Sequence, residues 1–221
     1  MKKLKIKPEA FIFDMDGVIV DSMPYHFIAW YESLRPIGVR VSCLDVYTNE
    51  GEQWEKTLRK FLLREKIKPT PQLLKKIFRI RQESFKKNFK RYVFEGIENL
   101  LLCLKNRKYR LGLVTGTTRD GIKEILPTKI KCLFDCIVSS ESTNHGKPHP
   151  EPYLKASKLL NVKPSKCVVI ENAPFGIESA KKSGMICIAL TTTLTPEYLK
   201  KADIIVNNID ELKKIIDLCG V

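Results

Sequence analysis

Two textures of apolar spacing divide the chain. Between residues 22 and 92 the spacing is helical, with little strand character. After Pro24, Tyr25, Ile28, Ala29, Glu32 and Ser33 share one helical face, which Pro36-Ile37-Gly38 closes. Trp54, Leu58, Phe61 and Leu62 recur at i, i+4, i+7 and i+8. Pro69-Thr70-Pro71 breaks that pattern, and Leu74, Ile77, Phe78, Arg81, Phe85 and Phe89 begin another. From Arg110 onward short apolar runs at 111–114, 136–138, 167–170, 185–190 and 204–206 alternate with helical patterns near 96–106, 118–128, 151–160, 174–183 and 209–218. Strands alternating with helices predict βαβ units and a parallel sheet.

The early run Ala10-Phe11-Ile12-Phe13 needs such a sheet to join. The helical block is therefore read as an insertion after the first strand, with its two ends close together. The expected fold class is α/β: a doubly wound parallel sheet built from residues 1–21 and 94–221, with an all-α cap inserted at 22–93. The links fall near residues 20–22 and 92–96.

Composition narrows the setting. A chain of 221 residues can bury a sizeable core. No apolar run approaches the roughly 18 residues that a membrane span needs. The basic start, Met1-Lys2-Lys3-Leu4-Lys5, has no apolar stretch of the signal-peptide kind, so a cytoplasmic protein is expected. Seven scattered cysteines, Cys43, Cys103, Cys132, Cys136, Cys167, Cys187 and Cys219, lack any Cys-x-x-Cys pair and read as reduced thiols. The net charge is +14, and residues 22–93 hold 16 Lys/Arg against 7 Asp/Glu, which places +9 of it in the helical block. A basic surface draws anions of any kind. Nucleic acid and small phosphorylated metabolites both qualify, but no helix-turn-helix, RNA-binding motif or zinc finger is present.

Four strand ends carry chemistry. The first run ends in Asp14-Met15-Asp16-Gly17. In extended backbone, residues i and i+2 face the same way, so both carboxylates converge just beyond the strand. Two close carboxylates need a cation or a shared proton. The second is Leu111-Gly112-Leu113-Val114-Thr115-Gly116-Thr117-Thr118, where a hydroxyl and free amides suit either a phosphate or an ordinary helix cap. The third, Gly146-Lys147-Pro148-His149-Pro150, holds a lysine on a proline-stiffened turn, flanked by His145 and His149. The fourth, Cys167-Val168-Val169-Ile170-Glu171-Asn172, delivers an acid and an amide.

Asp14-Met15-Asp16-Gly17-Val18, followed in order by Thr115, Lys147 and Glu171, resembles the haloacid dehalogenase-like superfamily of phosphotransferases. The longer string from Asp21 through His26 to Trp30 resembles its β-phosphoglucomutase-like branch. The resemblance spans essentially the whole chain and implies a Rossmann-like core. It implies Asp14 as nucleophile, forming an aspartyl phosphate, and Asp16 as acid and base. Thr115, Gly116 and Lys147 are the implied phosphate-binding residues, with His26 near the hinge supporting Asp16 and grouped with the substrate-binding set. Mg²⁺ is the implied cofactor, on Asp14, the Asp16 backbone carbonyl, Glu171 and Asn172. Asn172 stands where the family often has a second acid, so the metal set carries one fewer negative charge and the heavier expectation falls on Glu171.

The cap decides the second nucleophile. Water makes a phosphatase, and a hydroxyl of a bisphosphorylated sugar makes a mutase. His26 fits the mutase. Against it, the mutase's cap carries an arginine in a Gly-x-Ser-Arg string, and residues 49–54 here read Asn-Glu-Gly-Glu-Gln-Trp. The expectation is therefore a monomeric phosphatase of a small phosphorylated metabolite, with Glu50 and Glu52 near the cleft or hinge. A phosphomutase, and an inactive basic binding module on the same fold, are the alternatives.

Overall fold

The computed structural model describes residues 7–217. The basic start up to Ile6, Leu218 at the end of the last predicted helix, and Cys219 lie outside the described residues.

The strands are β1 (Ala10–Phe13), β2 (Arg110–Val114), β3 (Cys136–Val138), β4 (Cys167–Glu171), β5 (Ile186–Leu190) and β6 (Ile204–Val206). They form one parallel sheet in the order β3-β2-β1-β4-β5-β6. Phe11 sits opposite Leu111 on one side and Val168 on the other. The chain winds outward from β1 to β2 and β3, then crosses back to β4 and continues to β6. β1 and β4 are thus neighbours whose connections leave in opposite directions, the switch point at which open α/β sheets place their ligands.

All four residues of β1 are fully buried, as a strand covered on both faces requires. Their alternation feeds two cores. Phe11 and Phe13 pack with α5 (Ile97–Asn106), α6 (Arg119–Ile125) and α10 (Ile209–Asp217). Ala10 and Ile12 pack with α8 (Glu151–Leu160) and α9 (Pro174–Lys182).

Between β1 and α5 lie α1 (Met23–Leu34), α2 (Cys43–Thr48), α3 (Trp54–Arg64) and α4 (Pro71–Asn88). They share a separate apolar cluster that includes Trp30, Leu34, Leu58, Phe61, Leu62, Leu74 and Ile77. The two links to the sheet pair with each other. Val20 bridges Val93 in antiparallel fashion, and the Asp21 amide donates to the Tyr92 carbonyl at 2.9 Å.

Two helical expectations need correction. The predicted helix over 118–128 is two pieces, α6 and α7 (Thr128–Lys131). Pro127 lacks an N–H and pushes Leu126 to extended backbone, φ −93° and ψ 124°, which ends α6. On α1 the buried residues include His26, Ala29, Trp30 and Ser33; of the predicted face Tyr25, Ile28, Ala29, Glu32 and Ser33, only Ala29 and Ser33 are buried, and the face is rotated toward His26 and Trp30. From that side His26 reaches the strand-end Asp16, while Trp30 packs on Phe61 inside the helical block. No described helix is long and apolar enough to cross a membrane.

Candidate active site

β1 delivers Asp14 and Asp16 just past its end. A tight turn follows, in which the amides of Val18, Ile19 and Val20 all point to the Met15 carbonyl and Gly17 takes φ +81°. A Cβ at Gly17 would lie 2.0 Å from Asn172 Nδ2, so glycine is required twice over, by conformation and by space.

Asp14, Asp16, Thr115, Lys147, Glu171 and Asn172, all expected from the sequence, come together. Lys147 Nζ, only 4% exposed, lies 2.5 Å from Asp14 Oδ1, 2.7 Å from Glu171 Oε1 and 3.3 Å from the Val114 carbonyl. Thr115 Oγ1 donates to Asp16 Oδ2 at 3.2 Å and accepts from the Thr117 amide at 3.1 Å. Gly116 lies under the cap, where a Cβ would approach the Gly51 carbonyl at 3.6 Å. Gly51, at φ +85°, in turn rests on the Lys147 side chain. Gln53 Nε2 donates to the Asn144 carbonyl at 3.3 Å, a second contact between the helical block and the lysine turn.

The two aspartates sit in different fields. Burial pushes the Asp14 carboxyl well above its ordinary range. Lys147 pulls the other way, while Glu171 and Asp16 add to the rise. Burial also works to raise Asp16, but His26, Ser22 and Thr117 outweigh it and hold this carboxyl below its ordinary value. Ser22 Oγ donates to Asp16 Oδ1 at 2.6 Å, His26 Nε2 lies 3.1 Å from the same oxygen, and Thr117 Oγ1 donates to Oδ2 at 3.1 Å. With both side-chain oxygens engaged, Asp16 is left its backbone carbonyl for any metal, the route implied by the sequence. His26 is engaged at both ring nitrogens, by Asp16 and by Arg81 Nη2 at 3.3 Å. It therefore stands against the carboxyl rather than among the phosphate-binding residues with which the sequence grouped it.

The metal pair is weighted differently from expectation. Glu171 is 1% exposed and fully occupied: Oε1 accepts from Lys147 and from Tyr153 Oη at 2.7 Å, and Oε2 accepts from the amides of Asn172 and Ala173 at 2.9 and 3.2 Å. Asn172 is 0% exposed, and its Nδ2 donates to Thr193 Oγ1 at 2.9 Å. That bond turns the amide oxygen the other way, where Oδ1 is buried with no hydrogen-bond partner. An orphaned buried carbonyl beside clustered carboxylates fits a hard, oxygen-seeking cation such as Mg²⁺.

Beyond this centre a cavity of about 660 Å³ opens under the helical block, bounded among others by His26, Glu50, Trp54, Arg81 and Thr117. That is the size of a small-molecule site. Glu50 lines it, and burial raises its carboxyl above the ordinary range. Glu52 also lines it but is tied back to Lys60 and Thr57, each at 2.8 Å. Residues 49–54 hold no arginine, but Arg81 of α4 also lines the cavity. Arg81 lies 4.4 Å from the Trp30 ring, and its buried Nε has no partner. Sequence reasoning missed Ser22, Thr117 Oγ1, Tyr153 and Arg81. Arg81 alone had a signal, as a charge set within an apolar helical stripe.

Comparison with known proteins agrees with this architecture. The family profile described as Haloacid dehalogenase-like hydrolase matches residues 11–190. A validoxylamine A 7'-phosphate phosphatase of Streptomyces hygroscopicus subsp. limoneus is 38% identical over 120 residues, 54% of this chain, and the match spans only 56% of that protein. A phosphorylated carbohydrates phosphatase of Thermotoga maritima is 30% identical over 190 residues, covering 80% of this chain and 82% of that protein. The crystal structure of a β-phosphoglucomutase from Clostridium difficile superposes with a TM-score of 0.82 at 25% identity, covering 96% of this chain and 97% of the other.

Proposed function

The chain belongs to the haloacid dehalogenase-like hydrolases, and on that premise we propose that it is a Mg²⁺-dependent phosphatase of a small phosphorylated metabolite, such as a sugar phosphate, working through an aspartyl phosphate. The observation that carries this reading is the buried cluster in which Lys147 bridges Asp14 and Glu171 while the Asn172 carbonyl oxygen is left unpaired. Residues 22–93 act as the cap over a core of 1–21 and 94–221.

Asp14 attacks phosphorus as the bond to the leaving oxygen breaks, and Asp16 hands that oxygen a proton. Water then attacks the aspartyl phosphate. Asp16 takes the water's proton, the bond to Asp14 breaks, and inorganic phosphate leaves. Lys147, beside Asp14, holds a phosphoryl oxygen, with the Thr115 hydroxyl and the Gly116 amide on the flank. Asp14, the Asp16 carbonyl and Asn172, together with Glu171, would hold Mg²⁺. The ion supplies positive charge that relieves the repulsion between Asp14 and the phosphate. Asp16 rests as a carboxylate, and an arriving phosphate anion raises its proton affinity so that it can carry a proton.

A mutase remains the second reading, because Arg81 brings a cation to the cavity and β-phosphoglucomutase is among the structural relatives. A panel of sugar phosphates, including β-glucose 1-phosphate with a bisphosphate primer, separates the two when phosphate release and isomerisation are read independently. Turnover of p-nitrophenyl phosphate should vanish with EDTA and return with Mg²⁺. Asp14→Asn should lower it by on the order of 10⁴-fold or more. Turnover that survives both changes, or salt-sensitive nucleic-acid binding without turnover, rejects the phosphatase reading.

A further inference from the structure

The turn that aims Lys147 into the cleft gathers three metal-ligating side chains on its outer surface. His145 and His149 stand on either side of Lys147, and Glu151 opens α8. One nitrogen from each imidazole and one carboxylate oxygen all lie within 4.8 Å of one another. His145 Nδ1 is 2.9 Å from Glu151 Oε2, and His149 Nδ1 is 4.0 Å from the same oxygen. The two rings are 4.5 Å apart and tilted by 33°. A tetrahedral zinc-type ion with bonds of about 2.1 Å holds its ligands roughly 3.4 Å apart, between the two separations seen here. Small side-chain rotations close the difference, and the exposed rings have room for them.

The backbone beneath these groups is already held. Ser179 Oγ donates to the His149 carbonyl at 2.6 Å, and Ser183 Oγ donates to the Pro150 carbonyl at 3.2 Å. The Glu151 carboxylate is oriented by the amides of Asn144 and His145 at 2.9 and 3.0 Å. The Glu151 amide donates to His149 Nδ1 at 3.2 Å, so that nitrogen is unprotonated, and an ion bound there takes over the lone pair that this bond uses. Such preorganisation lowers the ordering cost of ligation. The donor set also differs in kind from that of the cleft. Two imidazoles and a carboxylate suit a borderline cation such as Zn²⁺, whereas the cleft offers oxygens, which suit Mg²⁺.

We propose that His145, His149 and Glu151 form a second divalent-metal site of zinc type, on the outer face of the lysine turn, with a fourth position open to water. The competing description is a plain His145–Glu151 ion pair with His149 beside it. The proposal does not depend on the phosphatase reading, since binding is measured without turnover.

The test titrates Co²⁺ into the full chain with Mg²⁺ in excess, following visible absorption, and repeats the titration with Zn²⁺ by calorimetry. The wild type should bind one equivalent with the spectrum of four-coordinate Co²⁺, which Zn²⁺ displaces. His145→Ala and His149→Ala should each weaken binding roughly tenfold or more, and together abolish it. Circular dichroism and the melting temperature of the variants should match the wild type, which reports that they fold. A double variant that binds as tightly as the wild type overturns the proposal. So does a Co²⁺ signal that survives the double histidine variant but disappears in Asn172→Ala, which would put the ion in the cleft.

Discussion

Asp14 and Asp16 are chemically identical and two positions apart, yet burial governs one and hydrogen-bond donors govern the other. The difference turns on His26, whose bond and charge lower the Asp16 carboxyl against the effect of burial. Removing that partner raises the proton affinity of Asp16. In His26→Asn the acid limb of the kcat–pH profile should therefore move to higher pH, because the carboxylate proposed as the base is protonated sooner. An unmoved limb would mean that Asp16 is not the group titrating there. At this scale the strand ends were legible. Asp14, Asp16, Thr115, Glu171 and Asn172 each follow or end an apolar run, and a parallel sheet gathers such ends by construction, while Lys147 was marked by its proline-stiffened turn. Ser22 and Tyr153 were not legible, because each reaches its partner from a helix or helix start whose rotation the local spacing does not fix. α1 illustrates the point: the turn from the predicted stripe to the observed one is what brings His26 against Asp16.

Helix α9 carries a constraint that its sequence conceals. Gly176 lies in its first turn, and a Cβ there would meet Glu171 Oε1 at 1.7 Å and Cδ at 2.0 Å. The close approach lets Glu171 hold Lys147, Tyr153 and two amides at once. Gly176→Ala should force the carboxylate aside and cost about 1–3 kcal/mol of stability as overpacking. Turnover should fall with it, because Lys147 loses one of its two anionic anchors. Denaturant melts read with kinetics check both effects. An alanine variant with unchanged stability would mean that Glu171 has another rotamer available. The split between α6 and α7 is the reverse case. Pro127 was visible in the sequence, and the residue-before-proline rule would have ended α6 where the structure ends it.

For the whole molecule, the alternation of strands and helices gave the parallel sheet and the inserted helical block. The strand order did not follow from it, since the same alternation permits several windings. That order matters because it sets β1 beside β4 and so concentrates acidic groups at the C-terminal ends of the two central strands. A cation that satisfies them should stabilise the fold by mass action. At roughly a hundredfold excess over Kd, Mg²⁺ should contribute about 2.7 kcal/mol, a rise in Tm on the order of 5–10 °C for a chain of this length. A thermal scan with and without Mg²⁺ measures it, and Asn172→Ala should erase most of the rise.

The antiparallel bridge between Val20 and Val93 joins the path into the helical block to the path out of it. Entry and exit are side by side, so the intervening 70-odd residues form a closed excursion that the sheet does not need in order to be threaded. A short reverse turn spliced from Asp21 to Val93 would preserve every strand neighbour, and a different excursion could be sewn in at the same stitch. Specificity can therefore diversify by exchanging what hangs from that stitch, provided the replacement again brings partners to Asp16 as Ser22 and His26 do.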